Sequence, residues 1–84
     1  MGLPQSPVSL TVEQVAELNT QLSDMRHNIN NQLALIVAAV ELIRRKPEMA
    51  PRMVETIAVQ PDRIIEEVQR FSTGFEGVCG ITRD

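Results

Sequence analysis

Residues 12–45 read VEQVAELNTQLSDMRHNINNQLALIVAAVELIRR, a stretch with no glycine and no proline. Its apolar residues Val15, Leu18, Leu22, Met25, Ile29, Leu33, Ile36, Val40 and Ile43 recur at intervals of three and four. That period keeps one stripe of a helix against a neighbour, as in a helical bundle. Both ends carry the matching signals. Thr11 and Gln14 have capping-box spacing, Glu13 and Glu17 place negative charge at the start, and Arg44, Arg45 and Lys46 place positive charge at the end. The spacing predicts one helix over Val12–Arg45, about 50 Å long at 1.5 Å per residue. The successive fours from Met25 to Ile29 to Leu33 predict a stutter that locally unwinds any supercoil beside His27.

Downstream, Pro47 and Pro51 bracket a short connection, so a second helix is expected to open between Pro47 and Arg52. A link that short makes the two helices antiparallel neighbours. The second helix carries Met53, Ile57, Ile64, Val68, Phe71 and Phe75 on one stripe, with a kink expected at Pro61. Gly74, Gly77 and Gly80 are expected to end it and leave a loose tail holding Cys79. Upstream, residues 1–10 hold Pro4 and Pro7 among Gln, Ser and Gly and read as a flexible lead-in. The organisation is thus a lead-in over 1–10, a helical hairpin over 11–77 and a tail over 78–84.

A chain of 84 residues predicted to be mostly two helices cannot cover both apolar stripes by itself. Self-association is the default expectation. Leu35, Ala39 and Leu42 add a flanking stripe in the C-terminal half of the first helix, giving it two faces to bury there. The predicted fold is all-α: an antiparallel helical hairpin with a long first helix, dimerising into a four-helix bundle along residues 29–75. The N-terminal part of the first helix would project as a two-stranded stalk.

Composition removes several classes of function. A net charge of −3 and 2% aromatic content give neither the cationic surface nor the stacking platform that nucleic acids require. The longest apolar run, residues 33–40, is far below the roughly 18–20 residues that span a bilayer. The single Cys79 closes no intrachain disulfide, and residues 1–10 lack the basic start and apolar core of a signal peptide, so a cytoplasmic setting is expected. No glycine-rich phosphate loop, HExxH or cysteine pair occurs, and no intrinsic cofactor or metal is expected. Glu66 and Glu67 read as a solvated helix face.

One segment is chemically unusual: Met25-Arg26-His27-Asn28-Ile29-Asn30-Asn31-Gln32-Leu33. At about 100° per residue, Met25, Ile29 and Ile36 lie roughly 160–200° around the helix from His27, which should therefore face solvent. Asn31, one turn on, shares that face. Three asparagines within four positions each cost about 0.5 kcal/mol of helix propensity relative to alanine, with no cap or turn to account for them.

The run from Arg26 to Ile36, followed by an apolar helix, a Pro-containing turn and a second helix, resembles the dimerisation and histidine-phosphotransfer domain of sensor histidine kinases. The resemblance covers roughly residues 15–76. It implies a dimeric four-helix bundle in which His27 matches the phospho-acceptor, Asn31 the Thr or Asn four positions later and Leu33 the apolar residue six later. It also implies a receiver domain, or a separate kinase ATP-binding domain, as partner. Arg26 is a candidate for neutralising phosphate charge, and Asn28 and Asn30 are further candidate binding residues.

The sequence departs from the family's pattern at two positions. Asn28 stands where active kinases carry an acidic residue that takes the imidazole proton, and an amide has no useful basicity near neutral pH. Gln32 stands where the family commonly has proline. With no nucleotide-binding boxes in these 84 residues, autonomous kinase activity is not expected. Phosphotransfer through His27 requires mainly positioning and charge neutralisation, with Mg²⁺ supplied by the partner receiver. The alternative is a bundle of this kind that has lost phosphotransfer and serves as a dimerisation or docking surface.

Overall fold

A computed structural model describes Leu3, Pro4 and residues 6–80. The architecture is a helical hairpin: α1 (Val12–Arg45), a 3-10 turn (Pro47–Met49) and α2 (Ala50–Cys79). The predicted bounds of α1 agree with the observed ones, and its cap is the expected box. Thr11 Oγ1 accepts from Gln14 N at 3.0 Å, and Thr11 N donates to Gln14 Oε1 at 2.8 Å. At the other end Lys46 N donates to Leu42 O at 2.8 Å, and Pro47 opens the turn. Pro51 falls in the first turn of α2, where its missing N–H has no helical acceptor to lose. Residues 6–10 take neither helix nor strand.

Polar side chains occupy positions in the seam that hydrophobicity alone assigns elsewhere. Leu33 is 47% exposed, whereas Gln32 is half-buried with its Oε1 cut off from solvent. With Gln32 in place of Leu33 the inward positions of α1 run 18, 25, 29, 32, 36, 39 and 43, a step of seven followed by alternating fours and threes. The expected stutter beside His27 is therefore absent from the pattern. The same substitution of roles occurs in α2. Gln60, only 2% exposed, fills the gap between Ile57 and Ile64, and half-buried Glu67 takes the position expected of Val68, which is 43% exposed. A glutamine or glutamate presents an apolar stem to a neighbouring helix, so a helix-period seam tolerates it where its position demands contact.

Two further expectations are corrected. α2 runs through Gly74 and Gly77, ending only at Gly80, whose φ of 66° is the left-handed conformation of a helix C-cap, with its N–H on Glu76 O. The hairpin thus extends beyond residue 77, and Cys79 is a half-buried residue of the last turn rather than part of a loose tail; residues 81–84 lie outside the described residues. α2 is one continuous helix across Pro61, the position at which a kink is expected. A proline there costs one backbone donor, and Gln60 Nε2 adds a bond to Thr56 O at 2.8 Å beside it. Finally, a Cβ on Gly74 would lie 3.5 Å from Gln21 Oε1, and Leu18 is buried. α2 therefore covers nearly all of α1, and the expected stalk shrinks to about its first turn.

The hairpin measures 57 × 28 × 12 Å, and its least dimension is about the diameter of one helix. A slab one helix thick has no interior. Among the described residues only Leu18 and Ala39 are buried apolar side chains. Phe71 and Phe75 stack at 5.9 Å between ring centroids and remain half-exposed. At about 100° per residue, Leu22, Leu33 and Val40 sit some 60–90° round from the α1 seam, and Val54, Ile65 and Val68 are displaced from the α2 seam in the same sense. In an antiparallel pair, equal displacement in one sense puts both stripes on the same broad face. All six of these side chains are exposed.

Candidate functional site

His27 lies near the middle of α1, fully in the helix and exposed. It is turned away both from α2 and, by roughly 120–140°, from the apolar face. Asn31, also exposed, stacks one turn further along, and its Nδ2 lies 3.4 Å from His27 Nε2. The i, i+4 geometry of the helix brings these two together, as the sequence predicts. It does not bring the remaining candidates to the same spot. Arg26 and Asn30 are exposed on the side of α1 nearer the apolar face, Arg26 only about 20–40° from Leu22 and Leu33.

Asn28 faces the other way. It is half-buried and lines a cleft of about 310 Å³ between the helices, on the broad face opposite the apolar one. Asp24 and Met25 from α1 share the cleft wall, with Glu67, Arg70 and Phe71 from α2. Arg70 Nη1 donates to Glu67 Oε1 at 2.9 Å, with the Glu67 side chain 16% and the Arg70 side chain 70% exposed. The sequence reading of Glu67 as part of a solvated face is thus corrected; Glu66 is exposed as expected. The seam alternation that continues through Ile64 and Phe71 was the signal that could have placed Glu67 inward.

Among the described residues no group of three His, Cys, Asp or Glu side chains is placed to hold a metal ion. No described helix is long and apolar enough to cross a membrane. Chemically, the arrangement offers one accessible imidazole, an amide donor beside it and, among the described residues, no carboxylate hydrogen-bonded to the ring. Comparison with protein-family models, with curated proteins and with solved structures finds no match for this chain.

Proposed function

We propose that two copies of this hairpin pair through their apolar faces into a four-helix bundle. In this reading the bundle is a histidine-phosphotransfer module of a two-component relay, exchanging phosphoryl between His27 and a receiver domain. The observation that carries the reading is the display of His27: exposed at mid-helix, away from the apolar face, with Asn31 within 3.4 Å. Pairing through the apolar face would leave both imidazoles open to a partner.

Surface area supports the pairing. A compact folded chain of this length exposes about 5000 Å², and this chain exposes 6376 Å², part of it on the non-helical residues 6–10. The excess is of the order that a standard interface removes, roughly 800 Å² per partner. In transfer, a lone pair of the neutral His27 ring would attack the phosphoryl group of a receiver, with that partner's Mg²⁺ and carboxylates neutralising charge. Asn31 is placed to donate to a phosphoryl oxygen. Arg26, about 100° round the helix from His27, serves at most the rim of that contact.

A specific observation favours a second reading. Asn28, next to His27, lines the interhelical cleft, and among the described residues no carboxylate is hydrogen-bonded to the ring to act as a base there. In that reading the bundle is a docking surface without chemistry. The two separate by incubating the protein with a phosphorylated receiver, or with a kinase ATP-binding domain and labelled ATP. Acid-labile, base-stable label that disappears in His27→Gln supports transfer; absence of label from every donor supports docking.

A further inference from the structure

The contact between Asn31 and His27 has a direction. An amide nitrogen has hydrogens to give and no lone pair to accept with, so Asn31 Nδ2 donates and His27 Nε2 accepts. A neutral imidazole carries one proton, and if Nε2 accepts, that proton is on Nδ1. No described side chain is hydrogen-bonded to Nδ1, and the neighbouring Asn28 faces the cleft. Asn31 is therefore the side chain in position to bias the ring's tautomer.

We infer that Asn31 is a positioning residue that keeps the His27 proton on Nδ1, making Nε2 the atom that takes the phosphoryl group. The tautomer part stands on the geometry alone; the phosphoryl part rests on the proposed function above. In the step, the Nε2 lone pair forms the new N–P bond while the donor's bond to phosphorus breaks with its electron pair leaving on the donor. The ring is then an imidazolium, and its Nδ1 proton passes to solvent. The 3.4 Å contact is long and exposed, so Asn31 gives way to the incoming phosphorus at little cost and then faces a phosphoryl oxygen.

The chain has one histidine, so its ring nitrogens are read without assignment ambiguity. The test is long-range ¹H–¹⁵N NMR of the 84-residue, ¹⁵N-histidine-labelled chain at a pH about two units above the ordinary imidazole value of ~6.5. An exposed i, i+4 amide contact changes the tautomer ratio by roughly twofold. The Nδ1–H to Nε2–H ratio is expected to fall by that factor in Asn31→Ala. Asn31→Asp, whose carboxylate only accepts, is expected to push the ratio below that of the alanine variant. A purely structural role for Asn31 would not move the two variants in this order. Equal ratios in wild type and Asn31→Ala, or an Nε2–H share higher in the wild type, would overturn the tautomer assignment.

A second arm uses phosphoramidate, whose P–N bond breaks to release ammonia as the new bond forms. ³¹P NMR is expected to show phosphohistidine at Nε2 in the wild type and a larger Nδ1 share in Asn31→Asp. Modification chiefly at Nδ1 in the wild type would overturn the assignment of the nucleophilic atom. Absence of modification, with the tautomer shift present, would count against His27 as a phospho-acceptor and leave the role of Asn31 at the ring supported.

Discussion

Gln60→Met is expected to stabilise this protein, although it removes a hydrogen bond. Gln60 is 2% exposed, and its Oε1 has no hydrogen-bond partner among the described residues. A buried acceptor left unpaired costs about 1–3 kcal/mol. The bond lost, from Nε2 to Thr56 O at 2.8 Å, goes to a carbonyl that already serves the helix ladder, so its loss is worth about 0.5–1 kcal/mol. Methionine keeps the unbranched shape and nearly the volume, which limits repacking cost. Taking the middle of each range, the balance is a gain of about 1 kcal/mol, or roughly 4–8 °C in Tm for a domain of this size. Urea denaturation followed by circular dichroism measures it, at equal protomer concentration because association shifts apparent stability. Gln69→Met, on the exposed side of α2, is the control and should change nothing. A Gln60→Met midpoint at or below that of the wild type, with an unchanged m-value, would refute the claim that this seam position is under-satisfied.

Three other outcomes follow from the same structure. Leu33→Glu places a charge in the middle of the exposed apolar face while leaving the hairpin seam intact, so sedimentation in the micromolar range should change from dimer to monomer with helicity retained by the monomer; a wild-type protein that sediments as a monomer contradicts the bundle. Thr11→Ala removes the capping box and should cost about 1 kcal/mol, with faster amide exchange confined to the first turn of α1. Gly80→Ala forces a side chain into φ 66° at the end of α2; a loss of about 1 kcal/mol is expected in denaturant titration, because only glycine takes that conformation without steric cost.

The helices themselves were legible in the sequence because their signals are local. Thr11 with Gln14 marks the start of α1, Pro47 its end and Pro51 the first turn of α2, and each acts through bonds within four residues. The exposure of His27 and its pairing with Asn31 were legible for the same reason, since a regular helix fixes both by rotation alone. The glycines misled, because a glycine inside a helix costs only about 1 kcal/mol, and α2 passes through Gly74 and Gly77 to stop at Gly80, where the backbone turns left-handed.

Sequence by itself determined two long helices, a short proline turn between them and an imidazole on the outside. Tertiary structure alone decided which residues meet. Gln32 and Gln60 enter the seam while Leu33 and Val68 stay outside, and Asn28 and Glu67 are turned into one cleft from different helices. The reason is that contact is set by register between two rods, and the rise and rotation of each helix carry whatever residue holds a facing position inward, polar or not. Hydrophobicity read along one chain reports how strongly a residue prefers burial; the position of the other helix determines whether that preference is met.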